Sequence, residues 1–284
     1  MLLHKKKVLI TGASQGLGKE IAKGFILEGA DIFICSRSID NLKNTFLELK
    51  KLASQGQQIY YKSIDVSNPD EVNDLLNEFF NKFNNIDVLV NNAGILGPKG
   101  PLENVNWEEW LYAFNINFAG SAYLIFKLIK KFKQQNNGCI IQISGGGATS
   151  PFPYMTAYAS SKAAIVRFIE SVSIELSSYN VTANCISPGA LDTRMQKEVL
   201  EAGPDAVGKE YYDKIFEFKK KGFSPFHKAV SLAINLASGT KLQKLSGKLI
   251  SAIWDDWRDF ENNQDDLNNS EIYTLRRVTE KKKQ

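Results

Sequence analysis

At 284 residues with 43% hydrophobic side chains, the chain has enough apolar material for a sizeable core, which excludes global disorder. Its 35 basic and 31 acidic residues leave a net charge of only +4. The basic clusters Lys5–Lys7 and Lys281–Lys283 stand at the ends and read as solvated, so the chain carries no nucleic-acid footprint. Cys35, Cys139 and Cys185 are odd in number, far apart and set in apolar runs. Only His4 and His227 accompany them, so reduced, buried thiols and no bound metal are expected. Val8-Leu9-Ile10 is too short for a signal peptide, and Tyr123–Ile129 is broken by Lys127, so no membrane span is expected. These features predict a cytoplasmic protein.

Along the chain, short runs rich in Val and Ile alternate with longer amphipathic stretches. Strands are predicted over Lys7–Thr11, Asp31–Ser36, Gln58–Ile64, Asp87–Asn91, Gly138–Ser144, Val181–Ser187 and Gly247–Ala252. Most are apolar on both faces, as strands buried in a parallel sheet must be. Helices are predicted near Leu17–Glu28, Asp40–Ser54, Pro69–Phe83, Trp107–Lys133, Thr156–Tyr179 and Pro225–Ala237, with Asp40 and Ser67 as candidate caps. The alternation predicts an α/β, Rossmann-type, doubly wound, mostly parallel seven-stranded sheet with helices on both faces. One domain over residues 1–284 is expected. Within it, residues 190–224 lack a strand and carry Tyr211, Tyr212, Phe216 and Phe218, the pattern of a mobile or partly helical lid. An extension over 253–284 follows the last strand.

Thr11-Gly12-Ala13-Ser14-Gln15-Gly16-Leu17-Gly18 follows the first strand and opens the first helix. Its glycines allow a tight turn whose amides reach a pyrophosphate at the positive end of that helix. The G-x-x-x-G-x-G spacing meets the general dinucleotide fingerprint only in part. A triphosphate P-loop fails, because Ala13 and Glu20 stand where glycine and Ser or Thr are required. Arg37 at the end of the second strand, with no acid at Ser36, favours the 2′-phosphate of NADP over the bare ribose of NAD. Asp65 and Val66 end the third strand where an adenine would lie. Asn91, Ala93 and Gly94 end the fourth and leave room for a cofactor.

Tyr158 and Lys162 stand four residues apart on one predicted helix. A phenol with pKa near ~10 exchanges protons poorly at neutral pH, and an adjacent cation favours its ionised form. With the glycine turn, Asn91–Gly94 and Pro188-Gly189 with Thr193, all in order, the sequence resembles the short-chain dehydrogenase/reductase family from about Lys7 to Ala252. The resemblance implies hydride transfer between NADP(H) or NAD(H) and a carbonyl or secondary alcohol. It makes Tyr158 the proton donor or acceptor and Lys162 the holder of the nicotinamide ribose. Asn117, which fits the Asn-x-x-Gly pattern better than Asn115, would anchor a relay water. Pro188, Gly189 and Thr193 would meet the nicotinamide amide.

One position departs from that pattern. The substrate-orienting serine falls on Gly145, with Ser144 beside it. Ser144 could turn inward on a glycine-rich bend, or Thr149 or a lid residue could supply the missing hydrogen bond. The departure also leaves open a cofactor-binding sensor or scaffold without turnover, and, as a third reading, an epimerase or dehydratase that retains its cofactor.

The tail, with Trp254-Asp255-Asp256-Trp257 and Tyr273-Thr274-Leu275-Arg276-Arg277, resembles a bacterial subgroup associated with sugar or nucleotide-sugar pathways. Trp254 and Trp257 read either as packing residues or as part of the site. Arg276 and Arg277 read either as a phosphate grip near the lid or as solvated. The family also implies a homodimer or homotetramer through the two long helices.

Overall fold

The computed structural model describes residues 1–278; the expectation for Lys281–Lys283 lies outside the described residues. The strands are β1 (Lys7–Thr11), β2 (Asp31–Ser36), β3 (Ile59–Ser63), β4 (Val88–Asn91), β5 (Gly138–Ile143), β6 (Val181–Ser187) and β7 (Leu249–Ser251). They form one sheet in the order β3-β2-β1-β4-β5-β6-β7, with every neighbouring pair parallel. Because successive side chains point to opposite faces, Val8, Ile10, Ile32, Ile34 and Val90 build one core layer. Leu9, Phe33, Cys35, Leu89 and Ile140 build the other.

Three helices cover the first layer: α1 (Gly16–Leu27), α2 (Ile39–Leu52) and α10 (Phe226–Ser238). The second is covered by α3 (Pro69–Lys82), α5 (Ser121–Gln135) and α6 (Thr156–Glu175). Phe79, Leu128, Phe132 and Ile169 there are almost wholly buried, and truncating such a phenylalanine to alanine costs roughly 3–5 kcal/mol. The order reverses between β1 and β4, so the crevice at the carboxyl ends of these strands is where a doubly wound sheet binds its ligand.

Several local expectations are corrected. The cap of α3 is Asn68, whose Oδ1 accepts from the amides of Asp70 and Glu71. Ser67 instead donates its hydroxyl to Asp65 Oδ1 at 2.6 Å. Asp40 lies in the first turn of α2, and Ser38 is the capping position. The long helix expected from Trp107 is α4 (Trp107–Phe114), a π-helical segment Asn115–Gly120, then α5. Gly120 passes so close to the Val66 carbonyl that a Cβ would overlap it, and the widened turn carries Asn117 inward to full burial.

Residues 190–224 fold as α7 (Arg194–Ala202), α8 (Pro204–Val207) and α9 (Lys209–Lys221). A single parallel bridge, Leu191 with Ser224, closes the base of this excursion. Its inner face, Val199, Val207 and Ile215, packs on Leu96, Met155 and Tyr158. The tail straps the outer edge of the sheet: the Leu249 amide donates to the Tyr273 carbonyl at 2.8 Å. Lys248 Nζ donates to the carbonyls of Ser270 and Ile272. This covers the unpaired groups that an edge strand would otherwise present.

Candidate active site

A cavity of about 1340 Å³ opens at the carboxyl ends of the strands, between the sheet and the lid helices. It exceeds the roughly 300–1,000 Å³ of a single small-ligand site, so it has room for more than one molecule. Gly12, Ser14, Gln15, Gly16 and Leu17 form one wall. At Gly12, φ is +64°, and an added Cβ would lie 2.8 Å from Ala93 Cα. At Gly18 an added Cβ would overlap the Gly12 carbonyl and the Asn92 amide. Gly18 therefore acts from behind the wall, by letting α1 close against the turn, and does not line the cavity.

Asn92 ties that turn to β4. Its Nδ2 donates to the carbonyls of Thr11 and Gly12, both at 3.0 Å, while the Thr11 hydroxyl accepts the amides of Asn92 and Ala93. The sequence reading placed Asn91 here, and this is a correction. Asn91 points into the opposite core layer, fully buried, and donates to the Ser121 carbonyl. Ala93 and Gly94 do line the cavity, together with Asn92.

At the end of β2, Ser36, Arg37, Ser38 and Asn41 line a polar recess, and the Asp65 carboxylate lies 3.9 Å from Arg37 Nη1. The Ser36 hydroxyl is buried without a partner. Arg37 donates to the Tyr112 hydroxyl at 2.6 Å, and Tyr112 donates to Asp65 Oδ2 at 2.7 Å. Desolvation works against the Asp65 carboxylate, but hydrogen bonds from Ser67 and Tyr112 and the charge of Arg37 hold its pKa below the ordinary value. Asp65 and Val66 both face the cavity. These features fit a dinucleotide. Glycine leaves clearance for a pyrophosphate along the turn, and the Arg37 guanidinium stands at the ribose end.

At the centre lie Tyr158 and Lys162, both on α6 and both buried. Lys162 Nζ donates to the Ile143 carbonyl at 3.0 Å and sits 5.6 Å from the centroid of the Tyr158 ring. Burial lowers the Lys162 pKa from 10.5 to about 8. Burial also raises the Tyr158 phenol well above its ordinary value, with a further contribution from Tyr211. The lowering expected from the neighbouring cation is absent. The ammonium is itself desolvated and is directed at a carbonyl, over the ring and not at the hydroxyl.

Asn117 lies beneath the floor. Its Oδ1 accepts from the Ile95 amide, and its Nδ2 donates to the Ile95 carbonyl and Ser161 Oγ. It thus fixes the Gly94–Ile95 segment without lining the cavity itself. Pro188, Gly189 and Thr193 line the far wall. At Gly145 an added Cβ would overlap the Tyr158 hydroxyl, so the phenol occupies the room that a side chain there would need. Ser144 belongs to the wall, but its hydroxyl oxygen is sealed from solvent and has no partner.

The tail divides. Trp257 is buried in the core, whereas Trp254 is 82% exposed and stands at the cavity wall. Arg276 is held by Glu170 at 2.6 Å and Glu271 at 2.9 Å. Neither Arg276 nor Arg277 lines the cavity, so of the two readings the phosphate grip near the lid has no support. Among the described residues no group of three or more His, Cys, Asp and Glu is placed to hold a metal ion. No described helix is long and apolar enough to cross a membrane.

A model of the short chain dehydrogenase family matches residues 6–203. The chain is 34% identical over 198 residues to the 3-oxoacyl-[acyl-carrier-protein] reductase FabG of Chlamydia trachomatis, covering 70% of this chain and 79% of that one. It is 32% identical to the 2,3-dihydro-2,3-dihydroxybenzoate dehydrogenase of Bacillus subtilis, covering 68% and 73%. A solved structure of a variant actinorhodin polyketide ketoreductase with NADPH superposes with a TM-score of 0.78 at 25% identity, over 87% of this chain and 95% of that one. The chain belongs to the short-chain dehydrogenase family.

Sequence reasoning missed Asn92, Ser38, Asn41, Tyr112 and Tyr211 as cavity or network residues. For Asn92 a signal existed: it is the first residue beyond the predicted strand, where side chains turn toward the carboxyl-end crevice.

Proposed function

We propose that this chain is an oxidoreductase that interconverts a carbonyl and a secondary alcohol on a small molecule, with NADP(H) preferred over NAD(H). The observation that carries the reading is the buried Tyr158–Lys162 pair facing a cavity that also contains the glycine turn. The bound dinucleotide supplies or accepts the hydride. Gly12, Ser14, Gln15, Gly16 and Leu17 would hold its pyrophosphate, with Gly18 packing behind them. Arg37 would hold the 2′-phosphate and Asp65 and Val66 the adenine. Ala93 and Gly94, with Pro188, Gly189 and Thr193, would hold the nicotinamide half.

Tyr158 delivers its proton to the substrate oxygen, or takes one from the alcohol in reverse. A phenol kept neutral by burial is suited to donation. Lys162, anchored on the Ile143 carbonyl, stands next to the phenol ring to bind a ribose hydroxyl and to oppose loss of charge balance as the proton leaves. The lid covers one side of the cavity, and the apolar side chains Leu96, Val207, Ile215 and Phe218 support a substrate with a substantial apolar body. With Arg276 tied to Glu170 and Glu271, the sugar-phosphate reading loses its anion-binding element.

We further propose that residues 1–284 act as one unit with 190–224 as the lid, that the enzyme works in the cytoplasm, and that it self-associates. Trp107, Phe126 and Ile174, exposed apolar side chains at 62%, 70% and 69% on α4, α5 and α6, support self-association through these helices. Fluorescence titration with NADPH and NADH, repeated with Arg37→Asp, tests the nucleotide site. The expected result is tighter NADPH binding that weakens at least tenfold in the variant while NADH binding holds. No binding of either nucleotide would refute the function.

A further inference from the structure

In this fold the question left by Gly145 is which group, besides Tyr158, holds the substrate oxygen. Ser144 is shut away, since its hydroxyl oxygen has essentially no exposed surface and no partner. Gly145 has no room for a side chain while Tyr158 keeps its position. A second phenol, however, enters the same cavity from the lid. Tyr211 lies in the first turn of α9, lines the cavity, and packs edge-on against Phe152 with ring centroids 4.6 Å apart. Phe152 also meets Tyr158 edge-on at 6.2 Å. One aromatic ring therefore braces both tyrosines.

Resting on the reading of Tyr158 as the proton donor, we propose that Tyr211 is the second hydrogen-bond donor to the substrate oxygen, taking from the lid the role that a side chain at position 145 would have filled. The site is then complete only with α9 docked, and specificity for oxygen placement resides in the lid.

The electrostatics agree. Burial raises the Tyr211 phenol to about 12, offset in part by the neighbouring Gln196 amide. Tyr211 also contributes to the raised pKa of Tyr158, which places the two phenols within electrostatic reach of each other. Tyr211 keeps its proton throughout. It stabilises charge growing on the oxygen and transfers nothing, so only Tyr158 needs reprotonation.

The test uses 9,10-phenanthrenequinone, a planar diketone suited to an aromatic-lined cavity, on the full-length protein. Binding to cofactor-free protein is read by quenching of tryptophan fluorescence, to which the cavity-wall Trp254 contributes. Reduction with NADPH is read separately, and NADPH affinity checks that the fold is intact. For Tyr211→Phe the expected result is a quinone Kd weakened a few-fold, the scale of one lost hydrogen bond. The kcat should fall on the order of 10²-fold, as when an oxyanion donor is removed, with NADPH affinity unchanged.

Ser144→Ala and Thr149→Val carry the competing assignments. A larger loss in either than in Tyr211→Phe would overturn the proposal, as would an unchanged quinone Kd in Tyr211→Phe. Tyr158→Phe separates the two levels. If it is inactive while Tyr211→Phe is fully active, the role of Tyr211 falls and the function stands. If wild type binds quinone through Tyr211 but never turns it over, the function falls instead.

Discussion

Replacing Lys162 with methionine should stabilise the protein while abolishing turnover. The Lys162 pKa falls from 10.5 to about 8 because its ammonium is buried. At ~1.36 kcal/mol per pKa unit, holding that charge in the folded state costs about 3 kcal/mol relative to the neutral amine. Methionine fills a similar volume without the charge. The Ile143 carbonyl keeps a second donor, Gln142 Nε2 at 3.1 Å, so it is not orphaned. A net gain of about 1–3 kcal/mol at pH 7 is therefore expected, or a rise of roughly 2–4 °C in Tm per kcal/mol.

The pH dependence provides a second check. Between about pH 8 and 10.5 the unfolded chain binds a proton at Lys162 that the folded protein does not. Wild-type stability contributed by this residue therefore rises across that window and is lost again as pH falls through 8. The advantage of Lys162→Met should be full at pH 7 and should vanish near pH 10.5. Urea unfolding of both proteins at pH 7 and pH 10 measures it, and taking the difference cancels the other titrating groups. A variant less stable than wild type at pH 7, or a gap independent of pH, would refute the reasoning.

Two further outcomes follow from the packing. Gly145→Ala drives a methyl into the Tyr158 hydroxyl, and misplacing a reacting group by about 1 Å costs on the order of 10²-fold in rate. The kcat should fall accordingly with NADPH affinity intact, and unimpaired activity would contradict the placement of Tyr158. Arg276→Gln releases a tie between the tail and Glu170, so a small drop in Tm is expected with no change in nucleotide or substrate affinity. A loss of substrate affinity in that variant would restore the phosphate-grip reading.

The sheet was legible because strands buried on both faces are written as unbroken β-branched runs. Cys35 and Ile34 need no alternation when both faces meet helices. Helix starts were less legible. The choice between Ser67 and Asn68 depended on Asp65 capturing the serine hydroxyl, a tertiary contact that spacing does not encode. The π-helical turn at Asn115–Gly120 carries no proline or capping signal, and the close pass of Gly120 against Val66 at its end is a tertiary contact that spacing does not encode.

In the site, residue types and order were readable and directions were not. Asn91 and Asn92 differ only in which face of the sheet each side chain takes. The effect of Lys162 on Tyr158 turned on where the ammonium points, and it points to the Ile143 carbonyl. Tyr211 belonged to a visible aromatic series, but only the docking of α9 shows which ring of that series enters the cavity beside Phe152.

The central claim is hydride transfer to a carbonyl governed by Tyr158. The most direct measurement is mass spectrometry of the alcohol formed from 1-tetralone, whose carbinol hydrogen does not exchange, with NADPH carrying deuterium at both C4 positions of its nicotinamide ring, for wild type and Tyr158→Phe. The account predicts one deuterium on the new carbinol carbon with wild type, and no product with Tyr158→Phe at undiminished NADPH affinity. Product without the label, or labelled product formed equally well by Tyr158→Phe, would contradict it.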